Sequence, residues 1–101
     1  IEQQLKRAIE RLGYIVEPQY GVSGYFIDFV VAKEDLPGKW ILAVEFDGAR
    51  YHSSRSARDR DRLRQRNLEN LGWVFFRIWS TDWFNDKNKV LKELDKFLKS
   101  L

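Results

Sequence analysis

The sequence predicts an α/β domain, an α+β sandwich in which helices flank one mixed β-sheet. Apolar residues recur at helical spacing at both ends of the chain and again in residues 56–71. Short apolar runs typical of strands stand between these helical segments. The 101 residues are enough for one hydrophobic core and too few for two. We therefore expect residues 1–101 to form one domain with the element order α-β-β-β-α-β-α.

Three segments have the periodicity of helices. Residues 1–12 and 56–71 are each followed by a glycine that can end a helix, Gly13 and Gly72, and residues 87–100 form an amphipathic pattern near the end of the chain. The apolar stripes of the first and last helices comprise Ile1, Leu5, Ala8, Ile9 and Leu12, and Val90, Leu91, Leu94, Phe97 and Leu98.

Four segments have the character of strands. Residues 14–20 predict an edge strand or extended segment, because Pro18 cannot donate a hydrogen bond to a neighbouring strand. Two stronger patterns follow at residues 25–32 and 40–47, joined by a loop with a Pro-Gly turn signal. The last pattern, residues 73–79, has bulky apolar side chains on both faces apart from one arginine. We expect this last strand to be central in the sheet.

The composition excludes several classes of protein. Charged residues make up 33% of the chain, and no run approaches the roughly 20 apolar residues that cross a bilayer. The chain has no cysteine, which excludes disulfides and cysteine-based metal sites and is consistent with a reducing cytoplasm. Because it begins with Ile1 and contains no methionine, we expect it to be a domain of a longer protein.

Three acids lie inside the two strongest strand patterns: Asp28, Glu45 and Asp47. The loop between these strands has its midpoint at nearly equal sequence distance from Asp28 and Glu45, so a hairpin would place the two carboxylates at about the same height. Strand alternation places Glu45 and Asp47 on one face. Burying unpaired carboxylates is costly, and a hard cation such as Mg²⁺ would offset that cost through oxygen ligands. The acids therefore predict a metal-dependent phosphodiesterase centre.

His52 is the single histidine, and it follows the second acidic strand beyond Gly48, a residue that allows a sharp turn. An imidazole titrates near neutral pH, so His52 could activate water or protonate a leaving group. A lone histidine can also be structural or merely exposed. We expect His52 to be catalytic.

Residues 55–66 hold six arginines and two aspartates, which favours a polyanionic partner, although a solvated helix face is the alternative. Helical spacing turns three of the arginines outward: Arg58, Arg62 and Arg66. The inner stripe comprises Ala57, Asp61, Arg64, Leu68 and Leu71.

The inward Asp61 and Arg64 allow two interpretations. They could form a partly buried ion pair that fixes the helix to the sheet. Alternatively, Asp61 could orient His52 or a water while Arg64 contacts a phosphate. Arg77 on the last strand could also contact a phosphate, before residues 80–82, which suggest a turn or cap.

Two tryptophans follow that strand arginine, Trp79 and Trp83. Either could stack on a base, although core packing is the commoner role of a tryptophan.

The order and spacing of these residues resemble the very-short-patch-repair-like branch of the PD-(D/E)xK nuclease superfamily. The string DGARYHSSRSARDRDRLRQ…LGW…RIWSTDW is similar to the restriction-endonuclease-like domain appended to large bacterial superfamily-one helicase proteins. The resemblance covers nearly the whole chain. It implies a restriction-endonuclease-like core, Mg²⁺-dependent phosphodiester hydrolysis and DNA as the substrate. The residues that carry it are Asp28, Glu45, Phe46, Asp47, Gly48, His52, Asp61, Arg64, Leu68, Gly72 and Arg77.

The resemblance also implies a ligand set for the metal. Asp28 and Glu45 match the family's metal-binding acids, with the backbone carbonyl of Phe46 as a third ligand for Mg²⁺, for which Mn²⁺ would substitute. Asp47 stands where the wider superfamily has a lysine, a departure shared with this branch, and would bind the metal or its water.

The other catalytic roles follow from the same resemblance. His52 becomes the natural substitute for the missing lysine, and Asp61 matches the branch's acid on the following helix. Glu2 matches an acid on the first helix, although by pattern alone it is an ordinary acid at a helix N-terminus. We expect a DNA endonuclease. The alternatives are a nuclease-fold module that binds DNA for an attached helicase without cutting, and a protein-interaction domain.

Overall fold

A computed structural model of the chain describes residues 2–47 and 55–101, and for Asp47 and residues 55–61 it describes the backbone alone. Gly13 and Gly72 follow the first two described helices with φ of +96° and +98°, which confirms both glycine helix ends. The described elements are α1 (Glu2–Arg11), β1 (Tyr14–Val22), β2 (Tyr25–Lys33), β3 (Trp40–Asp47), α2 (Arg55–Asn70), β4 (Phe75–Trp79), α3 (Ser80–Asn85) and α4 (Lys87–Lys99).

The described strands form one mixed sheet in the order β1-β2-β3-β4. Both hairpin pairs, β1 with β2 and β2 with β3, are antiparallel. The β3 and β4 strands are parallel because α2 carries the chain back across the sheet between them. The expected mixed α/β fold is therefore confirmed, and β1, with Pro18, lies at an edge of the sheet as predicted.

The β4 strand lies at the opposite edge, so its predicted central position is wrong. Ile78 is buried, whereas Phe75, Phe76 and Arg77 are only half-buried. Bulky apolar residues on both faces of a strand show that both faces of the sheet are covered. They do not show that the strand has neighbours on both sides.

Helices cover both faces of the sheet. The larger core lies between the sheet and α1, α3 and α4, and the smaller one lies beneath Leu68 of α2. On β3, Val44 and Phe46 contact the larger core and Ala43 belongs to the smaller one, as strand alternation requires. Glu45 therefore lies on the face covered by α2. None of the helices in residues 2–47 and 55–101 is long and apolar enough to cross a membrane.

Two details of the helices differ from the prediction. Residues 80–82, expected to be a turn or cap, form the first turn of α3, which has only six residues and therefore no visible periodicity. Leu71, assigned to the inner stripe of α2, is 61% exposed because the helix ends at Asn70. The stripes of α1 and α4 are confirmed where described: Leu5 and Ile9, and Val90, Leu94 and Leu98, are buried.

Candidate active site

Asp28 and Glu45 lie side by side on β2 and β3. The register of the hairpin pairs Phe29 with Val44, so Asp28 and Glu45 are the next residues on the two strands. The equal height predicted from the loop midpoint is confirmed. The Asp28 carboxylate accepts a hydrogen bond at 2.9 Å from the backbone N–H of Phe46, which fixes the acid against the neighbouring strand.

Glu45 is 8% exposed, and among the residues with described side chains it is the one charged residue that is buried. Burial, a side-chain hydrogen bond to Asp28 and the negative charge of Asp28 together raise the pKa of Glu45 from 4.5 to about 8. The charges of Arg64 and Arg77 lower that pKa but do not offset the burial. At neutral pH Glu45 therefore keeps its proton for most of the time. A pair in this state can exchange its proton for a metal cation.

Arg64 of α2 reaches down to the acid pair. Its Nη2 lies 3.1 Å from Oε1 of Glu45 and also donates to the backbone carbonyl of Phe26. The guanidinium lies 5.9 Å from the centre of the Tyr25 ring. Arg64 thus points inward as predicted, and its described ionic partner is Glu45. The side chain of Asp61 lies outside the described atoms, so its pairing with Arg64 stays a prediction.

Arg77 approaches from the other neighbouring strand. It stands beside Glu45 in the parallel register of β3 and β4. Its Nη2 donates to Oε1 of Gln65 at 2.6 Å, and its guanidinium lies 5.7 Å from the centre of the Trp79 ring. Sequence reasoning placed Arg77 on this strand but missed Gln65 and the Phe26 carbonyl. Gln65 follows Arg64 directly, and its amide gave no signal within this arginine-rich segment.

The described structure thus joins two acids and two arginines. Arg62 and Arg66 are exposed on α2, as the helical spacing predicts, and Glu2 is exposed at the start of α1. Trp83 is 1% exposed, so it is a core residue and not a surface for stacking bases. The other predicted site residues lie outside the described atoms. They are His52 and the side chains of Asp47, Arg58 and Asp61.

The donor chemistry of the acid pair suits a hard divalent cation. Carboxylate oxygens are the ligands that Mg²⁺ and Mn²⁺ prefer, and the raised pKa of Glu45 shows that its charge is incompletely compensated by the arginines. Within residues 2–47 and 55–101, no group of three histidine, cysteine or acidic residues could hold a metal ion. The two carboxylates therefore need additional ligands, for which the Phe46 carbonyl and Asp47 are adjacent in sequence.

Comparison with known proteins identifies one family. The family model REase_MTES_1575, which describes a restriction-endonuclease-like family, matches residues 1–98. Comparison with curated proteins and with solved structures gives no match.

Proposed function

The chain belongs to the restriction-endonuclease-like family REase_MTES_1575, and we propose that it is a metal-dependent DNA endonuclease domain. Within that family we assign it a restriction-endonuclease-like core of the very-short-patch-repair-like branch. The observation that carries the proposal is the Asp28–Glu45 pair on adjacent strands, in which Glu45 is buried and has its pKa raised to about 8. A strongly perturbed carboxyl group beside a second acid is typical of catalytic sites.

Asp28 and Glu45 would hold Mg²⁺, or Mn²⁺ in its place, together with the Phe46 carbonyl and Asp47. Such a cation supplies Lewis-acid polarisation of the scissile phosphate. The Phe46 N–H keeps the Asp28 carboxylate in a fixed orientation, which lowers the cost of assembling the ligands.

Arg64 and Arg77 flank the acids and are suited to a phosphate. Guanidinium groups match phosphate oxygens in geometry and charge. Arg64 can exchange its contact with Glu45 for a phosphate oxygen once Glu45 binds a cation. On the exposed side of α2, Arg62 and Arg66, with Arg58, would bind the DNA backbone without reading its sequence.

Three further residues receive roles through the family resemblance. We assign His52 as the general acid or base, Asp61 as the group that orients it, and Glu2 as an additional acid at the site. A helicase region in the same polypeptide would deliver the DNA, and the reaction would take place in the cytoplasm.

One observation favours a second function, a DNA-binding module that no longer cuts. The positive charge of Arg64 already lies 3.1 Å from Glu45, so the described site is partly compensated without a metal. If that contact persists in the presence of DNA, the arginines bind the nucleic acid and the acids remain silent.

Nicking of supercoiled plasmid distinguishes these functions. We expect cleavage with Mg²⁺ or Mn²⁺, none with EDTA, and none with Asp28→Asn or Glu45→Gln. The matched controls Asp35→Asn and Glu34→Gln change exposed acids of the β2–β3 loop and should cut normally. DNA binding without cleavage under every metal condition would establish the silent module instead.

A further inference from the structure

A basic groove lies on the opposite face of the molecule from the acid pair. It is an open cavity of about 270 Å³ between α1 and α4, with α3 at its base. We call it the α1–α4 groove. Its polar and aromatic lining comprises Gln4, Arg7 and Arg11 of α1, Trp83 of α3, and Lys87 and Asn88 of α4.

The charged residues that line the described groove are all basic. Arg7 and Arg11 are four residues apart and share one side of α1. Lys87 faces them from α4, where its Nζ lies 3.3 Å from Oε1 of Gln4 and 5.9 Å from the centre of the Trp83 ring. Three cations that converge on one concave surface repel one another, and a bound anion would relieve that repulsion.

Trp83 forms the buried base of this groove. It is 1% exposed, and its Nε1 has no hydrogen-bond partner among the residues that the structure describes. An indole N–H can only donate, and leaving a buried donor unpaired costs about 1–3 kcal/mol. Because the Trp83 ring lines the groove, its indole N–H resonance can report on what the groove binds.

The start of α4 adds to the positive potential. Lys87 and Asn88 are its first residues, where backbone N–H groups point out of the helix. Asp86 places a carboxylate at the same end, but that carboxylate is engaged by the backbone N–H of Lys89 at 3.1 Å.

We propose that the α1–α4 groove binds a phosphate group. Arg7, Arg11 and Lys87 supply the charge, and the buried Trp83 ring forms the base of the groove. The phosphate belongs either to a nucleic-acid backbone or to a free phosphate ion. The groove is built from α1, α3 and α4, whereas the acid pair lies on the face covered by α2, so this site is independent of the proposed nuclease activity.

Indole N–H resonances test the site directly. The protein is titrated with inorganic phosphate and with a short oligodeoxynucleotide at constant ionic strength, and Trp83→Phe identifies the Trp83 signal by its loss. We expect a saturable shift of that signal. The double variant Arg7→Gln and Arg11→Gln should weaken binding by at least about tenfold, since charge-assisted bonds to phosphate are strong. The control Lys92→Gln and Lys96→Gln removes two exposed charges elsewhere on α4 and should bind as the wild type does.

The two sources are separated by a third titration with a neutral methylphosphonate oligonucleotide. If only the charged oligonucleotide shifts the Trp83 signal, and the neutral oligonucleotide and inorganic phosphate do not, the groove binds a nucleic-acid backbone. A response to inorganic phosphate at equal affinity assigns it to free phosphate. A Trp83 signal that moves with none of the three, or moves equally in the arginine double variant, would overturn the proposal.

Discussion

The Arg64 guanidinium lies 3.1 Å from the Glu45 carboxylate, so that a helix arginine contacts a buried acid of the sheet. The same guanidinium donates to the Phe26 carbonyl on β2 and therefore connects α2 to both acidic strands. This contact ties the docking of α2 to the protonation of the acid pair, and the stability of the protein should respond to pH through it.

Stability should fall as pH rises from about 4.5 to about 8. The folded protein holds the Glu45 proton more tightly than the unfolded chain, because burial raises the pKa of Glu45 from 4.5 to about 8. The stabilising contribution is complete below pH 4.5 and is lost as pH passes through 8. We predict a slope of up to about 1.4 kcal/mol per pH unit in the free energy of unfolding, measured by urea denaturation.

Glu45→Gln should flatten that slope, since an amide does not titrate, and metal-free stability should hold or rise. The exposed loop change Glu34→Gln should keep the wild-type slope. An unchanged pH dependence in Glu45→Gln would show that the proton lies elsewhere.

Arg64→Gln should raise the pKa of Glu45 further. The positive charge of Arg64 lowers that pKa in the wild type, and the variant removes the charge while it keeps much of the side-chain length. The pKa can be followed through the Glu45 carboxyl carbon by NMR. Arg66→Gln, an exposed change two residues along α2, is the control and should leave the Glu45 titration in place. Equal pKa values in Arg64→Gln and the wild type would contradict the contact.

The arginines of α2 that helical spacing predicts to face outward should bind DNA without sequence preference. Replacing Arg58, Arg62 and Arg66 by glutamine should weaken binding about equally for unrelated sequences. It should also reduce the slope of log affinity against log salt by about one unit for each lost phosphate contact. Binding to several duplexes over a range of salt concentrations measures both effects. A loss confined to one sequence would indicate contacts with bases instead.

His52→Ala should lower the single-turnover cleavage rate by about 10² to 10⁴ at saturating metal, the usual effect of losing a general acid or base. The variant should keep its affinity for Mn²⁺ and for DNA, because the carboxylates bind the metal and the arginines bind the DNA. Thermal unfolding of the variant is the control for a structural role. Cleavage at the wild-type rate would exclude His52 from catalysis, and a parallel loss of Mn²⁺ affinity would make it a ligand.

The similar height of Asp28 and Glu45 could be predicted because the two acids lie at nearly equal sequence distances from the turn of the hairpin. The strand register is irregular near the turn. Ala32 pairs with Trp40, whereas the neighbouring Val31 pairs with Leu42, so that one residue of β3 is skipped. The register shift at this point has no visible signal in the residue pattern, yet the register beyond it is the one that places the two acids together.

Other features could not be read from local patterns. The partner of Arg64 depends on how α2 is rotated over the sheet, which helical periodicity alone does not determine. The edge position of β4 depends on strand order, because helices on both faces bury apolar residues of edge and central strands alike. The groove beside Trp83 requires α1 and α4 to be adjacent in space, although they are separated by most of the chain.

Calorimetric titration with Mn²⁺ at pH 7, repeated in buffers of different ionisation enthalpy, tests whether Asp28 and Glu45 form the metal site. Because the raised pKa of Glu45 leaves this side chain mostly protonated at this pH, metal binding should release about one proton, and fewer as pH rises above 8. Asp28→Asn and Glu45→Gln should each lose most of the binding, whereas Asp35→Asn should retain it. Undiminished Mn²⁺ affinity in both site variants would contradict the assignment.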